Sequence, residues 1–376
     1  PKSIAKKAHM LQITTVNIMG GAEKKVVNIL KTQNNDFDYT VTSIRDLHGP
    51  LGDWVHNLNG RYFELDQTSL IRKIKHLNRI LKTGKFDLVQ TYGITAEVYG
   101  CLLARLYSIP CISTLVGTED YNTFWRRLVG RISSRFVSQY VSVSKMGGDI
   151  LRTVVHVPRR KINVIINGIE MIPEDNLTAP TPLAKRNFNV LTIANLHPGK
   201  GHIYLLKAVK LLTEEGYNDI EFTLAGRDDY GGKLQSFAEQ LGIRDNIHFA
   251  GFHDDIYPLL NACDAFCLPS EYEGVPISVI EAMSVAKPVI ATCVGGTPEI
   301  ITDEQTGILI PARDPAAIKD AVLHLYHSQR KRNNLGRAAK RYSRQYLTKE
   351  RMVKEYWDLY YRMGSRCTRK NKHIYP

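Results

Sequence analysis

The chain has 376 residues, 43% of them hydrophobic, with 50 Lys plus Arg against 37 Asp plus Glu, a formal net charge of +13. This length predicts two or three packed domains rather than one small module, and the apolar content excludes a disordered chain because it supplies enough buried surface to offset chain entropy. The longest stretch without Asp, Glu, Lys or Arg, residues 8–22, is 15 residues, and 106–118 and 187–199 follow at 13 each, all short of the ~20 that a bilayer-crossing helix needs.

The chain opens on a basic stretch, PKSIAKKAHM, followed by a short strand-like run, LQITTVNIM. The apolar region and cleavage site of a secretory signal are missing, so the expectation is a cytoplasmic protein. The runs YTVTSI, FDLVQTY, PCISTLV, YVSVS and INVIING follow, rich in Val, Ile and Thr and separated by helical patterns at 22–32, 70–83 and 96–107. Continuous apolar runs alternating with helices predict a mostly parallel sheet covered on both faces. DNLTAPTPLAKRNF then breaks the pattern with two prolines and weak periodicity, and the alternation restarts with NVLTIAN, IEFTLAG, IHFAG, AFCLPS, PVIAT and GILIP. The fold class expected is α/β: two tandem Rossmann-like, doubly wound domains at 1–174 and 188–345, joined by a linker at 175–187 and facing a cleft. A final helix, KERMVKEYWDLYYRM, opens the segment 346–376, and its aromatic residues need a surface to cover. That segment is expected to cover an inter-domain surface, with a return to the first domain left open, and to end in a basic tail.

Positive charge is concentrated. LIRKIKHLNRILKTGK, at 70–85, carries six basic residues and no acid; FWRRLVGRISSRF, at 124–136, carries Arg126, Arg127, Arg131 and Arg135, again without an acid. On a helical wheel Trp125, Leu128, Val129, Ile132 and Phe136 form one stripe. That pattern suits an ordinary surface helix with its stripe in the core, and equally contact with an anionic membrane surface or a polyanionic acceptor. No helix-turn-helix, zinc finger or aromatic RNA platform points to nucleic acid. The cysteines are scattered without a CxxC pair and read as reduced core residues rather than a metal site or a disulfide frame.

No GxGxxG follows a strand and no GxxxxGK[ST] is present, which lowers hydride transfer and NTP hydrolysis. The acidic pairs Asp36/Asp38, Asp228/Asp229 and Asp254/Asp255 lie in turn-like contexts where acids cap helices or face water, so no metal is expected. What stands out is a set of glycine turns, each after a strand and before a helix: Gly20-Gly21, His197-Pro-Gly-Lys200-Gly201-His202, and Glu273-Gly274-Val275-Pro276. Such a turn lets the amides that open the next helix point at an anion. Pro276 suits a first helical turn, leaving the amides of Ile277 and Ser278 to donate, and Lys200 adds a full charge. Glu273 and Glu281 supply acceptors for hydroxyl groups beside the same helix. Phosphates for the amides and Lys200, with hydroxyls for the two acids, describe a sugar nucleotide.

These pieces carry a resemblance. LTIANLHPGKGH, FTLAGRDDYGG, IHFAGFHDDIYPLLNACDAFCLPS, EGVPISVIEAMSVAKPVIATCVGGTPEII and TGILIP, within 187–311, look like the donor domain of the retaining glycosyltransferases of family 4, which have the GT-B fold. The first half matches more loosely through GGAE, FDLVQTYG, STLVGTED, VSVSKMGGDIL and KINVIINGIE. The resemblance implies a retaining, metal-independent transferase without a cofactor, moving a hexose or N-acetylhexosamine from a nucleotide-sugar donor to a lipid-linked or cell-surface glycan, as in polysaccharide biosynthesis. It implies that Lys200 binds the donor diphosphate, Glu281 the ribose hydroxyls and Glu273 the transferred sugar, with Lys200 and Glu273 the catalytic pair. Gly20 and Gly21 would face the phosphates from the first domain, and Thr297 and Glu299 would line the pocket with Ser270, Gly274, Val275, Ile277 and Ser278. Gly251 and Phe252 would meet the base. Tyr92, Gly117, Thr118 and Glu119 are the acceptor-side candidates. The sequence departs from the family where Asn195 replaces an arginine and Val116 a histidine; Arg227 is the candidate substitute cation. Two alternatives stay open: an epimerase on a similar scaffold, and a nucleotide-sugar-binding relative with little turnover.

Overall fold

The computed structural model describes residues 7–18, 20–32, 34–173 and 188–371, the side chains of 118, 119 and 365–371 excepted. The linker expected at 175–187 lies outside the described residues. The chain forms two compact units, Pro1–Asn167 with Lys349–Pro376, and Gly168–Thr348.

In the first unit the strands are β1 (Ala8–Val16), β2 (Phe37–Arg45), β3 (Arg61–Phe63), β4 (Leu88–Tyr92), β5 (Cys111–Leu115), β6 (Gln139–Ser142) and β7 (Ile162–Val164). Among the described residues they form one parallel sheet in the order β3-β2-β1-β4-β5-β6-β7. β4 and β5 are buried at every position, Gln90, Thr91, Ser113 and Thr114 included, so neither shows the apolar-polar alternation of a strand with one wet face. The helices are α1 (Gly21–Lys31), α2 (Leu51–Asn57), α3 (Leu70–Gly84), α4 (Ile94–Leu106), α5 (Phe124–Ser133) and α6 (Lys145–Thr153). Right-handed crossovers put α1 and α2 on one face of the sheet and, after the order reverses between β1 and β4, α3 to α6 on the other. The cores agree: Val26, Leu30, Leu51 and Val55 share one cluster, and Leu77, Leu103 and Leu151 another. Ser69, Thr123 and Ser144 cap α3, α5 and α6 by accepting from the third residue on.

The second unit contains β8 (Phe188–Ile193), α7 (His202–Glu214), β9 (Ile220–Ala225), α8 (Lys233–Gln240), β10 (Ile247–Gly251), α9 (Tyr257–Ala262) and β11 (Ala265–Leu268). α10 (Ile277–Ser284), β12 (Val289–Thr292), α11 (Thr297–Ile300), β13 (Ile308–Ile310), α12 (Pro315–Tyr326) and α13 (Gln329–Tyr346) complete it. Its parallel sheet runs β10-β9-β8-β11-β12-β13. Both units are thus Rossmann-like and doubly wound, as the sequence pattern predicts. The second unit begins and ends at one place: Ile169 bridges Thr348, and its amide donates to the Leu347 carbonyl at 3.0 Å.

Three features refine or depart from expectation. The last helix, α14 (Lys349–Asn371), takes the second of the two courses left open for it: it returns to the first unit and buries its aromatic face there. Met352, Tyr356 and Tyr360 pack with Met10, Phe37, Leu88 and Ile112, and Arg351 donates to the Ile166 carbonyl at 2.7 Å. Cys101 of α4 and Cys111 of β5 form a disulfide, because the tight α4–β5 connection folds the helix back on the strand; Cys293 is exposed, and among the described side chains only Cys263 and Cys267 fit the reading of buried free thiols. Finally, α2 and β3 are not foreseen, since a three-residue edge strand is too short to show a period. No helix among the described residues is long and apolar enough to cross a membrane.

Candidate functional site

Where a doubly wound sheet reverses its strand order, crossing helices leave to opposite faces and the strand ends stay open, so ligands bind there. In the second unit that point lies between β8 and β11, and two loops meet over it. The Glu271 amide donates to the Gly199 carbonyl at 2.9 Å, stitching the loop after β8 to the loop after β11. Gly201 has φ +69°, and a Cβ there would stand 1.9 Å from the Pro269 carbonyl oxygen, so only glycine lets the two backbones come this close.

The contact places Lys200 against Glu273. The Lys200 ammonium meets Glu273 Oε1 at 2.7 Å, and the Ser270 hydroxyl donates to the same oxygen at 2.7 Å. Glu273 is buried, while the Lys200 side chain is about one-third exposed (31%). Ser270 is fixed in turn by Thr292 of β12, whose hydroxyl donates to the Ser270 carbonyl at 2.6 Å. From the far side Gly295, at φ +56°, packs so closely that a Cβ would lie 1.8 Å from the Glu273 carbonyl oxygen, and the Gly296 amide donates to the Gly274 carbonyl at 2.6 Å. The doublet Gly295-Gly296 is not singled out in the sequence reading, although two adjacent glycines before Thr297 were the available signal.

α10 starts directly after this loop. Pro276 is its N-cap residue with no side chain capping it, and Ile277 and Ser278 form its first turn. Glu281 is buried on that helix, near Tyr257, whose hydroxyl is made a weaker acid than usual by burial and then by the Glu281 charge. Thr297 is buried at the start of α11, Glu299 is half-buried, and Val275 is buried. Gly251 ends β10 at φ +74°, its carbonyl accepting from the Gly226 amide at 2.8 Å, and Phe252 beyond it is 60% exposed.

The two histidines of the lysine loop differ. His197 Nδ1 accepts from the Gly199 amide at 3.2 Å, whereas His202, first residue of α7, is fully buried with neither ring nitrogen hydrogen-bonded among the described residues. Burial, then the Lys200 charge, lowers the His202 pKa to about 4, so it stays neutral and adds no charge. Arg227, the candidate substitute cation, is paired locally: its guanidinium binds Asp229 at 2.7 and 3.1 Å, while its amide donates to Asn195 Oδ1 at 3.3 Å. The acidic pairs act as turn caps. Asp228 accepts from the amides of Tyr230, Gly231 and Gly232, and Asp255 from that of Tyr257. Among the described residues no group of three or more His, Cys, Asp or Glu gathers at metal-binding distance.

The first-unit candidates fare differently. Gly20 is the N-cap of α1 and Gly21 its first residue, but the backbones of Glu23 and Gly20 already hydrogen-bond the Glu23 carboxylate, a group that burial raises to about pKa 7. Tyr92 is not an acceptor contact: it is a core residue, and its hydroxyl donates to Gln12 Oε1 at 2.9 Å. Its place at the end of a fully buried strand explains the correction. Gly117 is buried and Val116 half-buried after β5; Thr118 and Glu119 lie in a 3-10 turn, Thr118–Tyr121, with side chains outside the description.

A family model described as "Glycosyl transferases group 1" matches residues 174–342, and one described as "Glycosyltransferase Family 4" matches 19–171. An uncharacterized glycosyltransferase of Haemophilus influenzae is 32% identical over 312 residues, 79% of this chain and 84% of its own length. The UDP-Gal:alpha-D-GlcNAc-diphosphoundecaprenol alpha-1,3-galactosyltransferase of Escherichia coli is 24% identical over 346 residues, 86% of this chain and 89% of its own. Among solved structures, Anabaena Alr3699/HepE in complex with UDP and glucose superposes with a TM-score of 0.81 at 19% identity, covering 93% of this chain and 98% of that one. The fold is therefore GT-B.

Proposed function

This chain belongs to the GT-B glycosyltransferases of the group 1 and family 4 kind, related to enzymes of lipid-linked sugar and polysaccharide biosynthesis, and from that premise we propose that it moves a hexose or N-acetylhexosamine from a nucleotide-sugar donor to a lipid-linked glycan. The observation that carries this reading is the Lys200–Glu273–Ser270 cluster at the strand reversal of the second unit, beside the uncapped start of α10. A diphosphate there meets the positive end of a helix and an ammonium at once. Relatives seen with UDP and glucose, or named for UDP-galactose, support a uridine donor.

In this reading Glu281 accepts from the ribose hydroxyls and Glu273 from those of the sugar. Lys200 and the amides of Ile277 and Ser278 stabilise negative charge growing on the departing diphosphate. The acceptor hydroxyl attacks the anomeric carbon from the face the diphosphate leaves, and its proton passes to the leaving phosphate oxygen, so configuration is retained. Because Lys200 and the helix amides supply the positive charge, we propose that no metal or cofactor takes part. The Lys200–Glu273 pair also keeps the ammonium aimed before the donor arrives, lowering the reorganisation needed on binding.

Binding with little turnover is the second reading, and one observation favours it: Arg227, the candidate replacement for the family arginine at Asn195, is committed to Asp229. Thermal unfolding across a panel of nucleotide sugars tests the main proposal. A true donor at 100 times its dissociation constant adds about 2.7 kcal/mol of stability; no shift with any of the panel rejects it. Transfer to a lipid-linked acceptor then separates turnover from binding.

A further inference from the structure

We infer that the outward face of α3, α4 and α5 docks the first unit on an anionic lipid bilayer. The helical spacing of α5 suits a stripe turned into the core, yet the fold turns it the other way. Only Gly130 and Ser133 of this helix are buried. Gly130 lies against the Tyr121 ring, where a Cβ would come within 2.4 Å of a ring carbon, and Ser133 hydrogen-bonds the buried carboxylate of Glu97 on α4. The small residues thus seat the helix, and the large ones point away: Phe124 and Trp125 are each 71% exposed and Ile132 49%.

α4 packs between α3 and α5 on the same side of the sheet and continues the surface, with Leu102 and Leu106 exposed, as is Ile71 on α3. Apolar groups of this size collected on one face mark an interaction site rather than ordinary surface. Its charge selects the occupant. α3 and α5 bear lysines and arginines with no acid in either helix, so a second copy of this chain would bring like charges together. A headgroup layer of negative charge over hydrocarbon matches both features: aromatic rings enter the interface while arginines on flexible stems reach the phosphates.

This inference stands apart from the sugar reading and is tested without a sugar nucleotide. The full chain is sedimented with phosphatidylcholine vesicles and with vesicles containing about 30% phosphatidylglycerol, an anionic fraction large enough to attract basic segments. The expected result is binding to the anionic vesicles, weakened by salt, and reduced at least about tenfold in Phe124→Ser/Trp125→Ser, whose exposed positions leave folding untouched. Leu106→Ser on α4 lowers it by a smaller factor, separating the three-helix face from α5 alone. No binding to anionic vesicles, equal binding to both vesicle types, or a double variant that binds like the parent each overturns the inference; the first of these is what a site for an acidic protein gives.

Discussion

Lys200 and Glu273 are separated by 73 residues of chain and meet at 2.7 Å, with the Ser270 hydroxyl sharing the oxygen that the ammonium touches. The pair is asymmetric, since the carboxylate is buried and the ammonium partly wet. Removing the two partners therefore has unequal costs.

Lys200→Met takes this ammonium from a buried carboxylate and is expected to destabilise by about 1 to 3 kcal/mol, less than for a fully buried pair because Lys200 is partly screened. Glu273→Gln keeps an oxygen to accept from Ser270 and Lys200 and should lose under about 1 kcal/mol. Urea unfolding of both variants and of the double variant checks this. The double variant should recover most of the Lys200→Met loss; strictly additive losses contradict the coupling.

Gly295→Ala sets a Cβ against the Glu273 carbonyl at positive φ, whereas Gly242, also at positive φ (+68°), has nothing within 4 Å of its would-be Cβ. Gly242→Ala is expected to cost only backbone strain, about 1 kcal/mol, and Gly295→Ala at least about 2 kcal/mol together with weakened donor binding. Equal melting temperatures for the two variants would falsify the close-approach account.

Lys25 in the first unit is fully buried, and its Nζ has no hydrogen-bond partner among the described residues. Burial lowers its pKa to about 7, and burial raises that of nearby Glu23 to about 7. A lysine whose folded pKa falls below its unfolded value weakens the fold most below that folded pKa, and the penalty fades as pH rises from about 7 towards its unfolded pKa. Glu23 runs opposite, its penalty growing as pH rises from about 4.5 to 7. Lys25→Met is expected to stabilise by on the order of 2 kcal/mol at pH 6 and by much less at pH 10. Chemical denaturation at the two pH values decides it, and a gain that grows with pH reverses the sign.

Thiol labelling reads the cysteine arrangement. Cys293 is exposed and should label in the folded protein, while burial pushes the Cys263 and Cys267 thiols up to about 12 and should keep them silent until unfolding. Peptide mapping without reduction should recover Cys101 joined to Cys111. Folded-state labelling of Cys267 contradicts this part of the fold.

How much was legible follows from what each signal depends on. β4, β5, β8 and β11 show in the sequence because parallel strands buried on both faces are short runs rich in apolar and β-branched residues between turn signals, a local requirement. Glycine turns at strand ends are local too, which brought Gly201 and Gly274 to notice. What escaped depends on packing between distant segments. The wheel of α5 gave a stripe but not its direction, because the deciding residues, Gly130 and Ser133, are small and their partners, Tyr121 and Glu97, lie elsewhere. Tyr92 stood among the acceptor-side candidates through the resemblance, yet its hydroxyl turns inward to Gln12 on the neighbouring strand. Arg227 looked free until Asp229, two residues on, proved to hold it. The surface claimed by α14 and the disulfide between α4 and β5 likewise exist only in three dimensions.

Calorimetric titration of a nucleotide sugar into the parent, Lys200→Ala and Glu281→Ala tests the central claim most directly. Loss of a charge-assisted contact predicts affinity at least about tenfold weaker in each variant. Unchanged affinity in both would place the donor somewhere other than the strand reversal of the second unit.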